Sequence, residues 1–124
     1  MSTEPLCILT VDDSASMRAL LMNSLTQRGH KVMQAEDGVD ALELLDRTDD
    51  QIDIIVTDIN MPRMDGFKLI KYLREQLKYQ DLPIVVLSTE NSVPKDARAA
   101  GATGWVVKPF DPDQLEISLR KITH

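Results

Sequence analysis

The sequence predicts an α/β fold: a five-stranded parallel sheet with five helices distributed over its two faces. Two observations predict it. Five short apolar runs alternate with segments whose apolar residues recur at helical spacing, the pattern of repeated β-α units. Three of those runs are near-continuous Ile, Leu and Val, as expected of parallel strands covered on both sides. Right-handed crossovers between such strands put helices on both faces.

The strand candidates are LCILTV (6–11), KVMQA (31–35), IDIIVTD (52–58), PIVVLS (83–88) and GWVVK (104–108). The first helix shows Met17, Leu20, Leu21 and Leu25 on one stripe, with Gly29 as its stop. Val39, Leu42 and Leu45 mark the second helix, after Asp37-Gly38. Phe67, Ile70, Leu73 and Leu77 mark the third, after Asp65-Gly66. The fourth, NSVPKDARAAGA (91–102), is Ala-rich and weakly apolar, with Pro94 in its first turn and Gly101 at its end. The fifth has Asp111 as N-cap, Pro112 at its first position, Gln114 as a capping-box partner and the stripe Leu115, Leu119, Ile122.

The chain has 124 residues, 43% of them hydrophobic and 27% charged, which fits one ordinary domain over 1–124 with no output domain attached. The net charge of −6 argues against coating nucleic acid, which needs a basic face. No apolar stretch reaches bilayer length, and the start MSTEPLC lacks a secretory pattern. The single cysteine, Cys7, cannot form an internal disulfide and reads as a small buried hydrophobe. A cytoplasmic location is expected.

In such sheets ligands bind beyond the carboxyl ends of the strands. Those ends carry Asp12-Asp13, Asp37, Asp58, Ser88 and Lys108. Asp12 and Asp13 alone read as acids complementing a helix N-terminus. If the first and third strands are neighbours, Asp58 joins them, and three close carboxylates need a cation or proton to offset their charge. Mg²⁺ suits a few carboxylates and a phosphate oxygen. Beside it, Asp58 can be a nucleophile that takes a phosphoryl group. Lys108 alone reads as a strand-end cation reaching water; facing the acids, it can pair with Asp58 or a phosphate. Ser88 is a generic strand-end hydroxyl that here could donate to a phosphate oxygen. Trp105, taken alone, reads as core packing.

Together VDDS (11–14), TDINMPRMDG (57–66), LST (87–89) and VVKPF (106–110) resemble the receiver domain of two-component response regulators, over essentially the whole chain. VDDSASMR (11–18) and GATGW (101–105) look most like the stand-alone chemotaxis members. The resemblance implies a flavodoxin-like (βα)5 fold with strand order 2-1-3-4-5. It implies Asp58 as phosphoacceptor, charged by a histidine kinase, and a Mg²⁺ ion on Asp13 and Asp58, the Asn60 carbonyl and, through water, Asp12. Ser88 and Lys108 would grip the phosphoryl group, and the Lys108–Pro109 bond would be cis. Asn60 and Glu90 stand where residues tune the phosphoryl lifetime. Ser88 and Trp105 stand at the switch positions; the family's aromatic there is commonly Tyr or Phe, and an indole is larger and donates only through its N–H.

The implied function is a phosphorylation-controlled binding module. Its fourth helix, fifth strand and fifth helix would meet the flagellar motor switch protein. A chemotaxis-type histidine kinase would dock on an overlapping face, and a phosphatase partner stays open. A monomer is expected, and no enzyme activity beyond its own phosphorylation and dephosphorylation. A phosphate sink or phosphorelay intermediate is the alternative. An aspartyl-phosphate phosphohydrolase is disfavoured, because Asn60 stands where a general acid would. A flavin carrier is disfavoured by two carboxylates where a phosphate loop needs N–H groups.

Overall fold

The computed structural model describes residues 4–89 and 93–123. Among them five strands alternate with five α-helices: β1 (Cys7–Val11), α1 (Ala15–Thr26), β2 (Lys31–Ala35), α2 (Gly38–Arg47), β3 (Ile54–Asp58), α3 (Gly66–Arg74), β4 (Ile84–Ser88), α4 (Val93–Ala100), β5 (Gly104–Val107) and α5 (Pro112–Thr123). A 3-10 turn, Leu77–Tyr79, joins α3 to β4. All strand pairs are parallel, and the sheet order is β2-β1-β3-β4-β5.

Successive strand residues point to opposite faces, which explains the continuous apolar runs. Leu9, Ile55, Ile84 and Val86 face Leu45, Leu69, Ile70, Leu73 and Ala97 of α2, α3 and α4. Their chain neighbours Ile8, Ile54, Val56, Val85 and Leu87 face Leu21 and Leu25 of α1 and Leu115 and Leu119 of α5. A strand with both faces covered is apolar at most positions, and the buried exceptions Thr10 and Thr57 give their hydroxyls to backbone carbonyls.

The helix ends follow local chemistry. Ser14 caps α1 by accepting from the Met17 N–H, Asp37 caps α2 through the Asp40 N–H, and Asp65 caps α3 through the Lys68 N–H. Asp111 accepts from the Asp113 N–H at the start of α5. Gly29 (φ 89°) ends α1 with paired bonds, Gly29 N–H to Thr26 O and His30 N–H to Leu25 O, a Schellman closure that needs a left-handed residue. Gly101 (φ 109°) ends α4 in the same way.

Three expectations about burial change. Leu20 is exposed, outside the α1 stripe. Leu77 is 88% exposed, because α3 stops at Arg74 and the 3-10 turn rotates it off the buried face. Trp105 is 37% exposed and not in the core: β5 is an edge strand, and Trp105 and Val107 lie on its open side. Cys7 is half-buried, packed against the α2–α4 core.

Candidate functional site

Register builds the site. Val11 pairs with Thr57, so Asp12 falls beside Asp58 at the carboxyl edge of the sheet. Asp58 pairs with Leu87, and Ser88 pairs with Val107, which places Ser88 and Lys108 just beyond it. Lys108 N–H donates to Ser88 O at 2.7 Å, and the Lys108–Pro109 peptide is cis, as the resemblance implied.

Asp12 is 1% exposed. Its Oδ1 accepts from the Ser14 N–H at 2.8 Å, and its Oδ2 lies 3.4 Å from Lys108 Nζ. Asp58 Oδ1 accepts from the Ile59 N–H at 2.8 Å and lies 3.4 Å from the same Nζ. One ammonium therefore bridges two carboxylates. Asp13 is exposed at the rim, and one carboxylate oxygen from each of Asp12, Asp13 and Asp58 lies within 4.8 Å of the others. Burial pushes the Asp58 carboxyl above the ordinary carboxylate range; the Asp12 charge adds to this, while the Ile59 N–H and Lys108 act against it. A group in that position gains from a cation. The donors are all oxygen, a set that fits a hard divalent ion such as Mg²⁺ rather than a thiolate- or imidazole-seeking metal.

A cleft of about 300 Å³ opens beside these groups, lined among others by Asp58, Asn60, Phe67, Ser88, Asp96 and Lys108. A larger hollow, about 570 Å³, lies by the amino ends of β3 and β4 among Asp49, Asp53, Leu77 and Asp81 and shares no residue with the acid cluster. The acid cluster and Lys108 thus adjoin the smaller one.

The β3–α3 connection is folded tightly over Asp58. The Gly66 N–H donates to Ile59 O at 2.8 Å. A Cβ on Gly66 would stand 2.2 Å from the Asp58 carbonyl oxygen, so only glycine admits that approach. The Asp-Gly pair at 65–66 marked a helix start in the sequence; the space requirement behind its glycine is visible only in three dimensions.

The structure thus brings together Asp12, Asp13, Asp58 and Lys108, with Asn60 and Ser88 on the same cleft. Trp105 is apart from that cleft: it borders a hollow with Lys95, Arg98 and Ala99, and the Arg98 guanidinium sits 5.4 Å from its ring centroid. Glu90 lies outside the described residues. Sequence reasoning missed Asp96, whose place in the first turn of α4 carries no signal that it faces the cleft. It also missed the ion pair of Asp37 with Arg63.

The parallel (βα)5 sheet with an acid cluster and a lysine at its carboxyl edge defines a class, and the chain belongs to the response regulator receiver domain family, whose profile matches residues 8–120. Within that family the similarity is to chemotaxis regulators. The chain is 41% identical over 118 residues to a chemotaxis protein CheY homolog of Campylobacter jejuni, covering 93% of this chain and 90% of that protein. It is 37% identical to chemotaxis protein CheY1 of Helicobacter pylori, covering 93% and 94%. The solved structure of chemotaxis response regulator CheY4 of Vibrio cholerae superposes with a TM-score of 0.88 at 40% identity, covering 96% of this chain and 99% of that one.

Proposed function

We propose that the chain is a phosphorylation-controlled chemotaxis regulator whose phosphoacceptor is Asp58. The observation that carries this is the single Lys108 ammonium set 3.4 Å from both Asp12 and Asp58 beside a third carboxylate. In the transfer, an Asp58 carboxylate oxygen attacks the phosphorus of a histidine kinase's phosphohistidine. The P–N bond breaks and the imidazole leaves. Asp13, Asp58 and the Asn60 carbonyl would hold Mg²⁺, with Asp12 through water; bound there, the ion neutralises charge on the transferring phosphoryl oxygens. Lys108 exchanges its carboxylate contacts for the new phosphoryl oxygens, and Ser88, buried at the end of β4, donates its hydroxyl to another. Asn60 at the cleft mouth governs access of hydrolytic water, and Glu90 is assigned the same role.

The signal leaves through α4, β5 and α5. Trp105, Val107 and Ile117 are exposed there, an apolar set suited to a protein partner, which we assign as the flagellar motor switch. Displacing Ser88 and Lys108 biases this surface between two arrangements, with Trp105 as its reporter; a change in partner affinity requires such a bias.

Acetyl phosphate with Mg²⁺ should add one phosphoryl group to the wild type and none to Asp58→Asn, read by intact mass. Addition that persists in Asp58→Asn would remove Asp58 from its role. Lys108→Ala should still bind Mg²⁺, yet show no phosphorylation-dependent rise in affinity for the motor switch component. A rise equal to the wild type's would end that assignment.

A further inference from the structure

The β3–α3 loop carries Asn60, and its far end is held by residues that the receiver chemistry does not use. Arg63 has φ 62°, a left-handed conformation that disfavours a residue with a side chain. Something outside the local backbone must hold it there. Its guanidinium makes two bonds to one carboxylate: Nε to Asp37 Oδ2 at 2.8 Å and Nη2 to Asp37 Oδ1 at 3.0 Å. Asp37 is buried and cannot yield much, because its Oδ1 also caps α2 through the Asp40 N–H at 2.9 Å. A second tie runs beside the first: the Gly38 N–H donates to Met64 O at 3.2 Å. A Cβ on Gly38 would meet Met64 at 2.7 Å, so the two loops are in close contact. At its near end the loop is pinned by the Gly66–Ile59 bond. Residues 60–62 are therefore strung between two fixed points, one of them set by Arg63.

We infer that Arg63 is a positioning residue: its two-pronged bond to Asp37 holds the loop so that the Asn60 carbonyl faces Asp13 and Asp58 as a cation ligand. The role rests on the Mg²⁺ reading of the acid cluster. Arg63 touches neither the ion nor the phosphoryl group. It acts by sparing the loop the ordering that binding would otherwise demand.

The test is calorimetric titration of the intact protein with Mg²⁺ alone, repeated as the Mg²⁺ concentration for half-maximal labelling by acetyl phosphate. Arg63→Gly is the decisive variant, because glycine takes the left-handed conformation freely, so the side chain and its bonds to Asp37 are lost without adding backbone strain. Asp37→Asn keeps a good helix cap and loses the charge. Each should weaken Mg²⁺ binding by about tenfold, the lower end for residues that support ligands from behind. The double variant should weaken it no further than either single one. Wild-type affinity in Arg63→Gly overturns the inference, since backbone conformation then suffices. Additive losses in the double variant also overturn it, because the two side chains then act separately. A wild type that binds no Mg²⁺ removes the metal reading and this inference with it. A wild type that binds, beside an equal Arg63→Gly, removes the inference alone.

Discussion

Gly66 shows how much a single side chain can decide near the site. Adding one methyl group there sets a carbon against the carbonyl oxygen of Asp58 itself. Gly66→Ala should cost about 3 kcal/mol in urea unfolding, at the upper end of overpacking penalties. It should also slow labelling of Asp58, because the strand end must move. A second residue-scale case lies at the opposite end of the sheet. His30 Nδ1 accepts from the Leu6 N–H at 2.9 Å, so Nε2 carries the proton and faces Glu116 Oε1 at 2.7 Å. Arg120 Nε donates to the other Glu116 oxygen at 2.9 Å. Burial alone would raise the Glu116 carboxyl, but its bonds to His30 and Arg120 outweigh that and hold it below the usual 4.5. The folded state then binds this proton less readily than the unfolded chain does. Its stabilisation is complete above pH 4.5 and is lost as pH falls through the lowered folded value. Glu116→Gln should cost roughly 1 kcal/mol at pH 7, and the gap from wild type should close in urea titrations run stepwise towards pH 3.

At the scale of elements, Arg74 ties three segments together. From the end of α3 it donates to Tyr79 O at 2.8 Å, Leu82 O at 2.7 Å and Gln80 O at 3.2 Å in the α3–β4 connection, and to Gly101 O at 2.9 Å after α4. Those carbonyls belong to irregular backbone that has no strand ladder to satisfy it. Arg74→Met keeps the apolar stem and removes the donors. It should cost about 3 kcal/mol and raise amide hydrogen exchange at the C-terminal end of α4 before it does so in β1 or β3. Uniform exchange across the molecule would show that Arg74 supports the whole fold and not this junction. The same junction explains why Leu77 is exposed: the chain turns here to satisfy Arg74, and the apolar stripe of α3 ends with Leu73.

At the scale of the molecule, a sheet covered on both faces supplies the rigidity that holds like charges together at its edge. Asp12, Asp13 and Asp58 repel one another, and the packed strands beneath them resist separation. Mg²⁺ at ten times its dissociation constant should stabilise the protein by about 1.4 kcal/mol, which raises Tm by about 5 °C, and a chelator should reverse it. Asp13→Asn should melt higher than the wild type in chelator and respond little to Mg²⁺. Both outcomes come from one scan with and without the ion. A variant that melts lower in chelator would show that Asp13 stabilises the fold by some contact other than a bound cation.

The alternation of apolar runs with helical stripes, read along the chain, determined the parallel sheet, its helices and the helix starts at Asp65-Gly66 and Asp111, because these depend on neighbours within a few residues. The strand-end residues Asp12, Asp58, Ser88 and Lys108 were legible for the same reason: a run that stops on a polar residue marks its own end. Strand order and the cis Lys108–Pro109 bond came through the resemblance, since neither is written in local periodicity. Only the tertiary structure decided that one lysine meets two aspartates, that Gly66 is needed for space, that Trp105 lies on an open edge, and that Arg63 reaches Asp37. Each of these is a contact between residues distant in sequence or a matter of which side of an edge strand is left bare. Strand register and the packing of loops against one another set them, and the chain's local pattern carries neither.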